Sequence, residues 1–201
     1  MNIPELLAPV GSSEHLKTAI LSGASSIYLS GEEFGARKYA ENFNLAEIRE
    51  AVKYAHFYNV KVYVTVNILI KEHEMKKVSE YVLELYKMGV DAVLVQDIGL
   101  VKTIHENIPD LPVHASTQMN IHNIEGIDWA YSHGIKRIVL PRETKLNELK
   151  ELVNHAHSLN MEVEIFTHGA LCYSYSGHCL LSSFQGGRYS LESPAHPLAQ
   201  G

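Results

Sequence analysis

One unit recurs along this chain and restricts it to very few folds. An amphipathic stretch ends at Gly or Asn, and a short apolar run follows within two or three residues. The unit reads LSGASSIYLS around Gly23, FYNVKVYVTVN around Asn59 and KMGVDAVLVQD around Gly89. It returns as SHGIKRIVLPRE around Gly134 and SLNMEVEIFTHG around Asn160. Glycine and asparagine accept the left-handed conformation just past a helix end. The runs after them are rich in Val, Ile and Tyr, as strands covered on both faces should be. Helix, cap, strand is half of a βαβ unit, and its repetition specifies a parallel sheet.

The intervening helices are legible from their period. Residues 44–58 open with Asn44 and Glu47 at capping-box spacing and place Leu45, Ile48, Val52 and Ala55 on one stripe. Further helices are expected over 12–22, 73–88, 98–107, 123–133 and 144–158. Strands are expected near 5–9, 26–30, 61–67, 92–96, 112–116, 137–141 and 161–167. The first βα turn, PVGSSEH, is neither GxGxxG nor GxxxxGK, which disfavours a dinucleotide-binding or P-loop sheet. The reading is an α/β, TIM-barrel-like (β/α) fold with seven of eight units visible, hence an incomplete barrel. Residues 1–188 form the barrel domain. Residues 189–201 form a Pro-containing tail, expected to be disordered or non-native. An open barrel implies self-association or a missing C-terminal segment that completes the sheet.

Composition narrows the class. The 201 residues are 46% hydrophobic and 20% charged, ordinary for a folded domain. No apolar run approaches the ~20 residues of a membrane span. The net charge of -6 argues against an electrostatic nucleic-acid binder as a whole, though a local basic patch is compatible with it. Two cysteines without a secretory signal suit a reducing, cytoplasmic setting.

In parallel barrels the working face lies at the strand C-terminal ends. Those ends carry Asn67, Asp97, His114 with Ser116 and Gln118, Arg142 with Glu143, and His168. His114, Ser116 and Gln118 alternate and so share a face of an extended strand. Catalytic candidates are therefore His114, Ser116, Gln118, Arg142, Glu143 and His168. Substrate-binding candidates are Asn67, Asp97, Asn120 and Arg188. The alternatives are a polar network lining the mouth, an Arg142–Glu143 ion pair, and helix capping by Ser12 and Asp97. Cys172 and Cys179 follow the last strand; with six residues between them they suit soft-metal ligation, thiol chemistry or a pair of buried thiols.

These segments carry a family resemblance. PELLAPVGS (4–12), YLSGEEFGARKYAENF (28–43), QDIG (96–99), HASTQMNIHN (114–123), VLPRET (139–144) and EIFTHGALCYSYSGHCLLSSFQGGR (164–188) resemble the collagenase-like peptidase U32 family. The resemblance spans about residues 3–188 and implies a peptidase, that is, a hydrolase. It also implies an alternative, an iron–sulfur-dependent hydroxylation factor for RNA bases or a quinone precursor. A third reading is an inactive fragment or binding module. The substrate would then be a peptide, RNA or a small aromatic. In the hydroxylation factors four cysteines are associated with the cluster, and Cys172 and Cys179 look like the first two. This chain continues YSLESPAHPLAQG after GGR, with no further cysteine, so the cluster is expected only in a longer protein that supplies the rest. No Ser/His/Asp set or HExxH accompanies the peptidase reading; HENIP at 105–109 lacks the second histidine.

Overall fold

A computed structural model describes residues 4–36, 41–169 and 174–179. Strands and helices alternate through them: β1 (Leu7–Val10), α1 (Ser13–Leu21), β2 (Ser26–Ser30), α2 (Leu45–Phe57), β3 (Lys61–Val66), α3 (Met75–Lys87) and β4 (Ala92–Val95). They continue with α4 (Ile98–Asn107), β5 (Val113–Ala115), α5 (Ile124–Ser132), β6 (Arg137–Val139), α6 (Leu146–Ser158) and β7 (Glu162–Glu164). Single 3-10 turns lie at Glu72–Glu74 and Thr117–Met119. The expected tail at 189–201 lies outside the described residues.

The repeat read from the sequence is a repeat of one helix closure. Gly23, Asn59, Gly89, Gly134 and Asn160 all have positive φ, between 56° and 93°. After each, the next amide reaches back to a carbonyl five residues earlier. Ala24 donates to Ala19 at 3.1 Å, Val60 to Ala55 at 3.0 Å and Val90 to Leu85 at 3.3 Å. Ile135 donates to Ala130 at 3.1 Å and Met161 to Ala156 at 3.0 Å. These are Schellman closures, which satisfy the last carbonyls and turn the chain into the next strand. Helix starts are equally regular. Ser12, Asn44, Asp97 and Asn123 each accept a first-turn amide on the side chain, and Asn44 with Glu47 completes the capping box.

The seven strands form one parallel sheet in sequence order, β1 through β7. Among the described residues, β1 pairs only with β2 and β7 only with β6. The strands alternate between two buried faces. Ile27, Leu29, Val62, Val64, Val93, Val95 and Ile138 pack outward with Ile48, Val52, Val82, Leu85 and Leu100 from the helices. Leu7, Tyr28, Tyr63, Ala92, Leu94 and Val139 make a separate inner cluster. The sheet curls far enough for Arg137 on β6 to bond Glu5, just before β1, at 3.0 and 3.1 Å. The result is a TIM-barrel-like sheet with helices outside and a side-chain-filled interior. Among the described residues no helix is long and apolar enough to cross a membrane.

Candidate functional site

The interior has two tiers. The lower tier is a charged lattice built on β3, β6, β7 and the residues just before β1. Arg137, 6% exposed, donates from both Nη atoms to Glu5 and from Nε to Glu162 at 2.7 Å. The Tyr63 hydroxyl donates to Glu5 at 2.7 Å, and the Arg137 guanidinium lies 5.1 Å from the Tyr63 ring centre. Lys61 approaches Glu5 at 3.6 Å. Burial would raise the Glu5 carboxyl, but the bonds from Arg137 and Tyr63 outweigh it and hold it at about 2.

The upper tier is a cavity of about 370 Å³ at the strand C-terminal ends. Asn67, Ser116, Gln118, Arg142 and Cys179 line it, as do Tyr28, Phe166 and Tyr175. Its volume falls in the range of small-ligand sites. Asn67 ties two rim segments together, accepting from the Ala36 amide at 3.1 Å and donating to Ser116 Oγ at 3.3 Å. Arg142 lines the cavity next to Glu143, whose carboxyl its charge helps hold below the usual carboxylate range.

The remaining sequence candidates take other places. His114 points into the barrel rather than onto the rim. The outward positions of β5 belong to Val113 and Ala115, so His114 faces inward, edge-on to Tyr63 with centroids 4.8 Å apart. Burial pushes its pKa down to about 3, with Arg137 adding to the effect, so the ring is neutral. Its Nδ1 is buried without a hydrogen bond among the described residues. Ser116 lies above it but caps the Thr117–Met119 turn, accepting from the Gln118 amide at 3.3 Å. Asp97 caps α4 through one oxygen and takes the Ile70 amide at 3.1 Å on the other. His168 is exposed and is not part of the cavity lining. Arg188 and Cys172 lie outside the described residues.

Glu143 and Asn120 dock the segment that carries Cys179. The Ser176 amide donates to Glu143 at 2.9 Å, and Thr117 donates to Ser176 Oγ at 3.3 Å. Asn120 bonds the His178 ring at 3.0 Å. Gly177 crosses so close that a Cβ there would stand 2.4 Å from the Gln118 carbonyl oxygen, and its φ is 75°. Residues 174–179 thereby form one wall of the cavity.

Glu164 is the group that the reading of strand ends passes over. It lies at the end of β7, opposite Val139 in the β6 register, and lines the cavity from below. Burial pushes its carboxyl up to about 7, against the pull of Arg137. Its signal in the sequence is EVE within a strand that should be covered on both faces. Of these two charges Glu162 is exposed, and Glu164 is the one shielded beside Arg137.

Among the described residues no three His, Cys, Asp or Glu side chains converge to hold a metal ion. The chain has two cysteines, so these residues do not make the four-thiolate set of an iron–sulfur cluster.

Comparison with known proteins gives a consistent picture. The family model described as peptidase family U32 matches residues 11–193. A tRNA hydroxylation protein P1 of Bacillus subtilis is 37% identical over 187 residues, which is 93% of this chain and 44% of that protein. The 23S rRNA 5-hydroxycytidine C2501 synthase of Escherichia coli is 38% identical, over 92% of this chain and 27% of that protein. A Porphyromonas gingivalis collagenase is 31% identical, over 89% of this chain and 44% of that protein. The chain thus spans less than half the length of these relatives. A solved U32 peptidase superposes with a TM-score of 0.65 at 19% identity, covering 81% of this chain and 67% of that one, which supports the fold.

Proposed function

The chain belongs to peptidase family U32, and from that premise we propose that it is the barrel part of an RNA-base hydroxylation protein, whose mouth cavity receives one nucleotide. The observation that carries this reading is the placement of a guanidinium and aromatic faces around one small cavity. Arg142 suits a phosphate, which guanidinium recognises through parallel N–H donors. Phe166 and Tyr175 are 47% and 70% exposed and offer stacking surfaces for an unstacked base. The relatives named for tRNA and rRNA hydroxylation support the same substrate class. A protein acting on those RNAs works in the cytoplasm.

The hydrolase reading is less well served by the geometry. A serine nucleophile needs a base in hydrogen-bond reach. Ser116 Oγ instead accepts from Asn67 and Gln118. The His114 ring, whose pKa burial pushes down to about 3, is a poor base and makes no hydrogen bond to Ser116 among the described residues. Cys179 lines the cavity, and in the hydroxylation reading it and Cys172 are two ligands of a cluster whose remaining thiolates come from a longer protein.

The test is nucleoside mass spectrometry of tRNA and rRNA from cells with and without the protein. Deletion should remove a hydroxylated nucleoside, and the intact gene should restore it. Arg142→Ala should restore it at least about tenfold less well, the scale of one charge-assisted bond. Unchanged nucleosides, together with loss of gelatin cleavage, would return the hydrolase to first place.

A further inference from the structure

Glu164 is the third carboxylate around a single guanidinium. Arg137 already spends three hydrogen bonds on Glu5 and Glu162. Glu164 Oε2 reaches Arg137 Nη1 only at 3.6 Å, longer than a hydrogen bond. That oxygen is buried and has no hydrogen-bond partner among the described residues. The charges shielded from solvent are Glu5 and Glu164 against Arg137, while the side chains of Glu162 and Lys61, which also reach the lattice, are more than half exposed and screened by water. With all of them ionised the lattice carries an excess negative charge; with one proton on Glu164 it balances. The other groups facing it do not take that proton. Tyr63 is already a donor to Glu5, and His114 is held neutral by burial. Arg142 lies above, across the cavity.

The two oxygens of Glu164 differ. Oε2 turns down toward Arg137 and away from solvent. Glu164 lines the cavity, so the oxygen that does not face Arg137, Oε1, is the one left to meet a ligand there. A proton placed on Oε1 leaves Oε2 as an acceptor facing the cation, the arrangement with the better electrostatics.

We infer that Glu164 stands in the cavity as a neutral carboxylic acid and donates a hydrogen bond from Oε1 to an acceptor atom of the bound nucleobase. The inference rests on the nucleotide reading of the same cavity. An acceptor such as cytosine N3 or a ring carbonyl fits that donor, whereas an ionised carboxylate would repel it. Burial, which pushes this carboxyl up to about 7, works in the same direction.

The experiment measures binding of the dinucleotide CpC, whose single phosphodiester does not titrate near neutrality, to the protein at pH 6 and pH 8.5. If only the protonated form binds, affinity scales with its population, a loss on the order of 30-fold across that range. Glu164→Gln places an amide N–H at the same position; it should bind CpC at pH 6 about as well as the parent and lose the pH dependence. Glu164→Ala should bind weakly at both pH values. Infrared difference spectra between the parent and Glu164→Gln read the protonation state directly: a carboxylic-acid carbonyl band that vanishes between pH 6 and 8.5 is expected. A carboxylate band throughout that range overturns the inference whether or not RNA binds. So does a protonated Glu164 with CpC affinity unchanged in Glu164→Ala. Absence of CpC binding at any pH, with the acid band present, instead brings down the nucleotide reading on which the inference rests.

Discussion

Arg137 donates to two carboxylates and faces a third, so its removal leaves the partly shielded Glu5 and Glu164 without their cation. Arg137→Met should destabilise the fold by about 3–5 kcal/mol, the usual consequence of breaking a buried ion pair from one side. Urea unfolding at pH 7 measures it, and a change below about 1 kcal/mol would mean the lattice is solvated. Glu164 gives stability a pH slope of definite sign. Its folded pKa, about 7, lies above the reference 4.5, so the folded protein binds more protons between those values. Stability should fall as pH rises from about 4.5 to 7, and this component should vanish in Glu164→Gln. Glu5 acts oppositely: held at about 2, it contributes stability above pH 4.5 that is lost as pH falls toward 2. Sequence reading reached Asn67, Ser116, Gln118, Arg142 and Cys179 because they follow apolar runs, where a barrel puts its mouth. It passed over Glu164, Glu5 and Tyr63, and placed His114 on the rim, because both faces of a parallel strand are buried. Alternation therefore does not say which face looks inward, and a charge within the strand can be assigned only when its partners on distant strands are known.

The helix-to-strand junctions show how much of the fold is local. Five of them close on a Gly or Asn with positive φ, and those five residues are the ones the repeat picks out. The junction between α4 and β5 lacks the motif: α4 ends at Ile108 with φ -138°, and Pro109 and Pro112 lead into the strand. That strand is also one of the shortest, at three residues. Strand ends were the less legible part, since β5, β6 and β7 are each shorter than their apolar runs. There the chain leaves the ladder to form the rim. The closures differ in how they should respond to a methyl group. At Gly23 a Cβ meets nothing within 4 Å, so Gly23→Ala should cost about 1–2 kcal/mol for the left-handed backbone alone. At Gly134 a Cβ would stand 2.7 Å from His105 Nδ1, adding a clash to the same backbone cost. Thermal unfolding of both variants should rank Gly134→Ala as the less stable; equal melting temperatures would show that His105 moves aside freely.

At the scale of the whole sheet, protection should be uneven, and the order of strands says how. The middle of the sheet is its driest part: Val62, Val64, Val66, Ala92, Val93 and Val95 are fully buried, and each strand there pairs on both sides. At one margin, β7 is three residues long, pairs only with β6 among the described residues, and carries the exposed Glu162. At the other, β1 pairs only with β2, and Leu6 beside it is exposed. A parallel edge strand has ladder partners for only part of its amides, and the apolar area holding it is smaller. The Arg137–Glu5 bonds span these margins across the interior, linking β6 to the start of β1. They should couple the opening of the two edges while leaving the centre unaffected. Hydrogen exchange should therefore be slowest in β3 and β4 and fastest in β7 and β1. In a variant that weakens the bridge without removing the cation, Glu5→Gln, exchange should speed up in β1, β6 and β7 together, with β3 and β4 rising only as far as the loss of global stability requires. Uniform protection across the seven strands, or acceleration confined to β1, would show that the edges do not open as one unit and that the charged lattice is not what joins them.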